Sequence, residues 1–100
     1  MKNKIWLNLV LLLQKLNVYS QTFDELMTIG DEKYGKKDYK GAIISISKAI
    51  ELNPKNSVSY MNRGVCKSDL GDKKGACIDL NKALDLGFYQ AESLIKELCK

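Results

Sequence analysis

The sequence predicts an all-α fold, a short right-handed solenoid of antiparallel helix pairs, and two observations carry that expectation. The chain is self-similar at a spacing of 34: residues 23–56 laid on 57–90 without a gap give 11 identities, among them Gly30/Gly64, Asp38/Asp72, Gly41-Ala42/Gly75-Ala76, Lys48-Ala49/Lys82-Ala83 and Leu52/Leu86. A fixed internal period makes the repeat the unit of structure. Within each unit, apolar residues recur three and four apart, the spacing of a helix buried along one face. One proline and seven glycines in 100 residues leave little material for a loop-rich fold.

The elements follow in chain order. Residues 1–20 read as a signal peptide: Lys2 and Lys4, then an apolar run from Ile5 to Leu13 broken by Asn8, then a polar stretch closing on Val18-Tyr19-Ser20, with cleavage expected after Ser20. The run is too short for a stable membrane span, which needs about 20 apolar residues. The alternative is an N-terminal amphipathic helix packed on the first repeat. The repeat domain occupies 21–100. In repeat 1 (23–56), Thr22 with Glu25 three residues on forms a capping box for a helix over 23–35, with Leu26, Ile29, Gly30 and Lys33 on one side. Asp38 caps a second helix that buries Ala42, Ile43, Ile46, Ala49 and Ile50, and Asn53-Pro54 ends it, asparagine tolerating the left-handed conformation and proline being unable to continue. Repeat 2 (57–90) repeats the pattern: a helix over 57–70, a stop at Gly71, a cap at Asp72, a helix through Ala76, Cys77, Leu80, Ala83 and Leu84, and a stop at Gly87. Residues 90–99 carry Leu94, Ile95 and Leu98 at helical spacing and read as a closing helix covering the last repeat.

Small residues in register, Gly30 with Ala42 and Ala49, then Gly64 with Ala76 and Ala83, let helix backbones approach closely. With Pro54 they spell G(x)11A(x)6A(x)4P, repeated without its proline as far as Phe88. Here the chain resembles the tetratricopeptide repeat family, over residues 23 to about 100, and the period matches too. Lys33 and Lys67 stand where that family usually has an aromatic residue, and Phe88 where it has proline.

Composition excludes several function classes. The formal charge is +4, but removing Lys2, Lys4 and Lys15 leaves 13 basic against 12 acidic residues, or +1, with signs interleaved. No basic stripe for a nucleic-acid backbone emerges, so no nucleic-acid partner is expected. There is no histidine, which removes the commonest general base and metal ligand. Cys66, Cys77 and Cys99 form no CxxC pair, so neither a metal site nor a redox centre is expected. GDKKG lacks the strand and glycine spacing of a phosphate loop. Asp31, Asp69, Asp79 and Asp85 fall on helices among lysines and read as a solvated face. No enzyme activity and no cofactor are expected.

Function must then come from a surface. The resemblance implies protein or peptide binding in a concave groove lined by the first helix of each repeat. Here that stripe comprises Asp24, Met27, Asp31 and Tyr34, then Val58, Met61, Asn62, Val65 and Ser68, then Glu92 and Ile95. Met27, Met61 and Ile95 form one column, suited to gripping varied apolar side chains or else to padding a small core. Some family members clamp a partner's C-terminal carboxylates with a lysine and an asparagine on the first helix and an asparagine on the third. Asn62 matches the third-helix position, but Met27 and Asp31 occupy the others and cannot donate to a carboxylate, so that clamp is expected to be missing. The resulting expectation is a small exported adaptor, periplasmic or secreted, that binds a segment of another protein. The alternative is a structural subunit that assembles with itself or a larger envelope complex through apolar seams, since two and a half repeats are few for a free-standing solenoid. A cytoplasmic location follows if residues 1–20 are not a signal.

The repeat also bears on the cysteines. Ile43 should face the end of the next unit's first helix, where Cys66 lies. One repeat on, that pair becomes Cys77 and position 100, beside Cys99, so Cys77 and Cys99 are disulfide candidates in an oxidising compartment. Three reduced core cysteines are the other reading.

Overall fold

The computed structural model describes residues 8–9 and 21–100. The expected signal segment lies almost wholly outside the described residues. Five helices make up the repeat region: α1 (Phe23–Gly35), α2 (Tyr39–Leu52), α3 (Ser57–Leu70), α4 (Lys73–Asp85) and α5 (Ala91–Leu98). Each packs on the next, α1 on α2, α2 on α3, α3 on α4 and α4 on α5. The fold is therefore an all-helical solenoid of two helix pairs with a closing helix. Among the described residues no helix is long and apolar enough to cross a membrane.

Helix starts use the side chains that the sequence offers. Glu25 N–H donates to Thr22 Oγ1 at 3.1 Å, Gly41 N–H to Asp38 Oδ1 at 3.0 Å, Ser59 N–H to Asn56 Oδ1 at 3.1 Å and Gly75 N–H to Asp72 Oδ1 at 2.9 Å. Each satisfies an amide that the helix leaves without an internal partner. Glycine recurs at 41 and 75 because a Cβ at either position would run into the capping carboxylate.

Helix ends differ in an instructive way. At Lys37, Gly71 and Gly87 the backbone turns left-handed, with φ of 63°, 95° and 103°. Each turn carries the same two bonds, for instance Gly71 N–H to Ser68 O and Asp72 N–H to Lys67 O, the Schellman arrangement. The end of α2 departs from expectation: Asn53 is not left-handed but has φ −143° and ψ 83°. The physical reason is the next residue, because a Schellman turn needs an N–H immediately after its left-handed residue and Pro54 has none. One repeat later Phe88 supplies it, donating to Ala83 O at 2.9 Å, while its ring packs on the core.

The core runs along the inner seam of the pairs: Leu26, Ala42, Ile46, Ala49, Ile50, Tyr60, Cys66, Ala76, Leu80, Ala83 and Ala91. A Cβ on Gly30 would stand 2.8 Å from Ile46 Cγ1, and one on Gly64 would stand 3.2 Å from Ala76 O, so these glycines hold α1 on α2 and α3 on α4 at close range. Tyr60 takes the place that Leu26 has in the first repeat and satisfies its hydroxyl by donating to Pro54 O at 2.9 Å.

Asp79 corrects the solvated-face expectation. It is 2% exposed. Arg63 Nε and Nη2 donate to its two oxygens at 2.8 Å each, and Lys67 Nζ lies 2.9 Å from Oδ2. Arg63 Nη1 also donates to Ser47 Oγ at 3.2 Å, tying α2 to the α3–α4 pair, and its guanidinium lies 5.6 Å from the centre of the Tyr60 ring. Hydrogen bonding to Asp79 raises the Arg63 pKa further. Lys67, which departs from the family's usual aromatic, is thus the third member of a charged cluster.

Candidate functional groove

Between α1 and α3 the surface forms a recess of about 120 Å³ lined by Asp31, Tyr34, Ile46, Asn62, Val65 and Cys66. Four of the residues expected to line a groove, Asp31, Tyr34, Asn62 and Val65, meet there. Helical spacing explains the grouping: Asp31 and Tyr34 are three apart on α1, and Asn62, Val65 and Cys66 are three and four apart on α3. Ile46 forms the floor from α2.

The remaining stripe residues lie outside the recess. Val58 is exposed at the start of α3. Met27, Met61 and Ile95 are half-buried and pack against the core cluster, so each has one side on the core and one toward solvent. Ile46 and Cys66 were missing from the sequence-based stripe. The spacing of Cys66 from Asn62 was available as a signal, whereas Ile46 belongs to a second helix and packs against Gly30, where a Cβ would stand 2.8 Å from its Cγ1.

The electrostatics of the recess are acidic. Tyr34 Oη donates to Asp69 Oδ2 at 2.6 Å, joining the last turns of the two first helices. That hydrogen bond, helped by burial, pushes the Tyr34 pKa up to about 12. The Tyr34 ring also stands 5.6 Å, centre to centre, from Tyr39. Burial pushes the Cys66 thiol up to about 11, with the charges of Asp69 and Asp31 adding to the effect. Cys66 therefore stays a neutral, inert thiol near neutral pH. At the other end of the molecule Cys77 on α4 and Cys99 after α5 stand as a bonded pair with Cα atoms 5.8 Å apart, and Cys66 is free and buried.

The family model described as tetratricopeptide repeat matches residues 26–56 and again 57–86. Among known proteins the chain is similar to a heat shock protein sti1 homolog of Schizosaccharomyces pombe, 36% identical over 63 residues that cover 63% of this chain and 11% of that protein. It is similar to human serine/threonine-protein phosphatase 5, 38% identical over 74 residues covering 67% of this chain and 15% of that protein. A small glutamine-rich tetratricopeptide repeat-containing protein 2 of Mycosarcoma maydis is 37% identical over 72 residues, 70% of this chain and 20% of the relative. The chain thus spans a fifth or less of these relatives' lengths. With two matched repeats, two helix pairs in register and the small-residue series at their seams, the chain belongs to the tetratricopeptide repeat family, a protein-interaction fold.

Proposed function

We propose that this protein is a small adaptor that binds a segment of another protein along the concave stripe of α1, α3 and α5. The observation that supports this most directly is the recess between α1 and α3. An apolar side from Val65 and a floor at Ile46 stand beside the polar groups of Asp31 and Asn62, the mixture by which pockets combine affinity with orientation. The outward sides of Met27, Met61 and Ile95 extend the apolar surface along the stripe, and methionine repacks readily against different partners. Binding and not catalysis is the role that this surface suits.

Selection from a random peptide library on the full chain, followed by amide chemical-shift mapping of a selected peptide, tests the reading. Shifts at Tyr34, Val58, Asn62 and Val65 support it, and Met61→Glu then weakens binding with helicity retained. Shifts confined to the outer faces of α2 and α4, or unfolding by Met61→Glu, count against it.

One observation favours a second reading, a subunit that assembles with its own kind. Ile44 and Ile78 occupy equivalent positions on α2 and α4 and are 57% and 62% exposed. Light scattering separates the two, since a stable monomer removes self-assembly. We also propose export, on the three-part layout of residues 1–20. N-terminal sequencing of the native protein is expected to find Gln21 first, and a start at Met1 would move the protein to the cytoplasm.

A further inference from the structure

The chain as a whole is basic, yet its concave stripe carries charge of one sign. Asp24 and Asp31 on α1 belong to the stripe, Glu92 on α5 is paired with Lys96 at 3.6 Å, and none of the stripe's own members is lysine or arginine. The bases of α3 face elsewhere: Arg63 and Lys67 are both committed to Asp79 of α4, at 2.8 and 2.9 Å. Within the recess the Asp31 carboxylate is exposed, and among the described residues no hydrogen bond or ion pair engages it. Asp69 adds a second carboxylate at the rim, where it holds the Tyr34 hydroxyl. Burial is the main cause that raises the Cys66 thiol at the recess wall, and the charges of Asp69 and Asp31 add to it.

We infer that the recess receives a lysine or arginine side chain from an otherwise apolar segment of the partner, an inference that rests on the groove-binding reading. The cation donates to the Asp31 carboxylate and the Asn62 side-chain oxygen, and its methylene stem lies along Val65 above the floor at Ile46, as long basic side chains do on apolar surface. Apolar neighbours in the segment pack on Val58 and Met61. An acidic segment would bring its carboxylate against Asp31, and like charges at such range are rejected. Selectivity here is the reverse of a carboxylate clamp.

The test uses the full isotope-labelled chain and three blocked peptides of one leucine- and alanine-rich sequence, differing only in a central lysine, norleucine or glutamate. Amide shifts report both affinity and place. Binding is expected in the order lysine, norleucine, glutamate, with the lysine peptide shifting Asp31, Asn62 and Val65. Asp31→Asn weakens the lysine peptide about fivefold, the size of one exposed ion pair, and leaves the norleucine peptide unchanged. Raising salt from about 0.1 M to about 1 M narrows the lysine advantage. If norleucine or glutamate binds at these residues as tightly as lysine, or if Asp31→Asn costs the lysine peptide nothing, the charge inference falls while groove binding stands. If no peptide shifts these residues, both fall.

Discussion

The two repeats are built on one pattern, but they solve the same packing position with opposite chemistry. In the first repeat the position is Ser45 of α2, buried at 6% exposure, and the residues 34 before Arg63 and Lys67 are Ile29 and Lys33 of α1. In the second, the equivalent residues are Asp79, Arg63 and Lys67, and a buried carboxylate holds two cations. The first repeat needs no electrostatic compensation there. The second repeat does, and its chains of contact reach back to Ser47 of α2. Repeat architecture thus conserves backbone spacing through Gly30/Gly64 and Ala42/Ala76 while leaving the residues between free to diverge. What differs most is how badly each unit tolerates losing one member.

The largest expected effect breaks that comparison directly. Asp79→Ala removes about 3 to 4 kcal/mol of stability, because two cations lose a bidentate partner, whereas Ser45→Ala costs under about 1 kcal/mol. Urea unfolding of the two variants side by side checks it. Transplanting the first repeat's solution, Arg63→Ile with Asp79→Ser, is expected to restore stability to within about 1 kcal/mol of the parent, since well-packed apolar replacements of buried pairs are often neutral. A double variant as weak as Asp79→Ala would show that the second unit cannot accept the first unit's packing.

Next comes the crosslink, which falls on the second repeat and has no counterpart on the first. Closing a loop of 22 residues lowers the unfolded chain's entropy enough to contribute about 3 kcal/mol. Unfolding with and without reductant measures this, and alkylation of the denatured, unreduced protein is expected to label Cys66 alone. Three labelled thiols would mean that the bond is absent from the protein in solution.

A smaller effect concerns the turns. Lys37 and Gly71 are equivalent and both left-handed, at φ 63° and 95°. Gly71→Lys is expected to cost about 1 kcal/mol, and Lys37→Gly to gain about 0.5 kcal/mol, the strain of a side chain there being offset by glycine's unfolded entropy. Equal and opposite shifts would be too simple.

The smallest effect is at Tyr34, whose counterpart in the second repeat is Ser68. The hydrogen bond to Asp69, with burial adding to it, holds its proton in the folded state to about pH 12, above the usual tyrosine range. The contribution of its hydrogen bond is therefore complete below pH 10 and disappears as pH rises toward 12. Ultraviolet titration is expected to show a late tyrosine component that Tyr34→Phe or Asp69→Asn removes.

Most of the helix pattern was legible because its signals are local. Asp38 and Asp72 stand three residues before the glycines that they cap, and the periodic alanines declare their buried face within one helix. Asp79 was misread because its partners lie 12 and 16 residues away on another helix. Its position three after Ala76 and four before Ala83 was the available sign, since that spacing sets a carboxylate on the apolar face, where it requires cations. Asn53 was misread for a subtler reason: its own tolerance of a left-handed turn is irrelevant when Pro54 cannot complete the bonding. The groove was legible only in part. Spacing along α1 and α3 grouped Asp31, Tyr34, Asn62 and Val65, but it could not show that Ile46 of α2 floors the recess, nor that Met27, Met61 and Ile95 share themselves with the core.

The bond between Cys77 and Cys99 also decides how the molecule answers to mechanical load. A pull applied beyond residue 99 passes through the sulfur bridge straight to α4, and α5 with its approach loop carries no tension. With the bond closed, 22 residues are withheld from stretching, roughly 75 Å of extended chain. Force would then peel the solenoid starting from the α3–α4 seam, where Arg63 and Lys67 grip Asp79, so the strongest electrostatic contact and the covalent one are loaded in series.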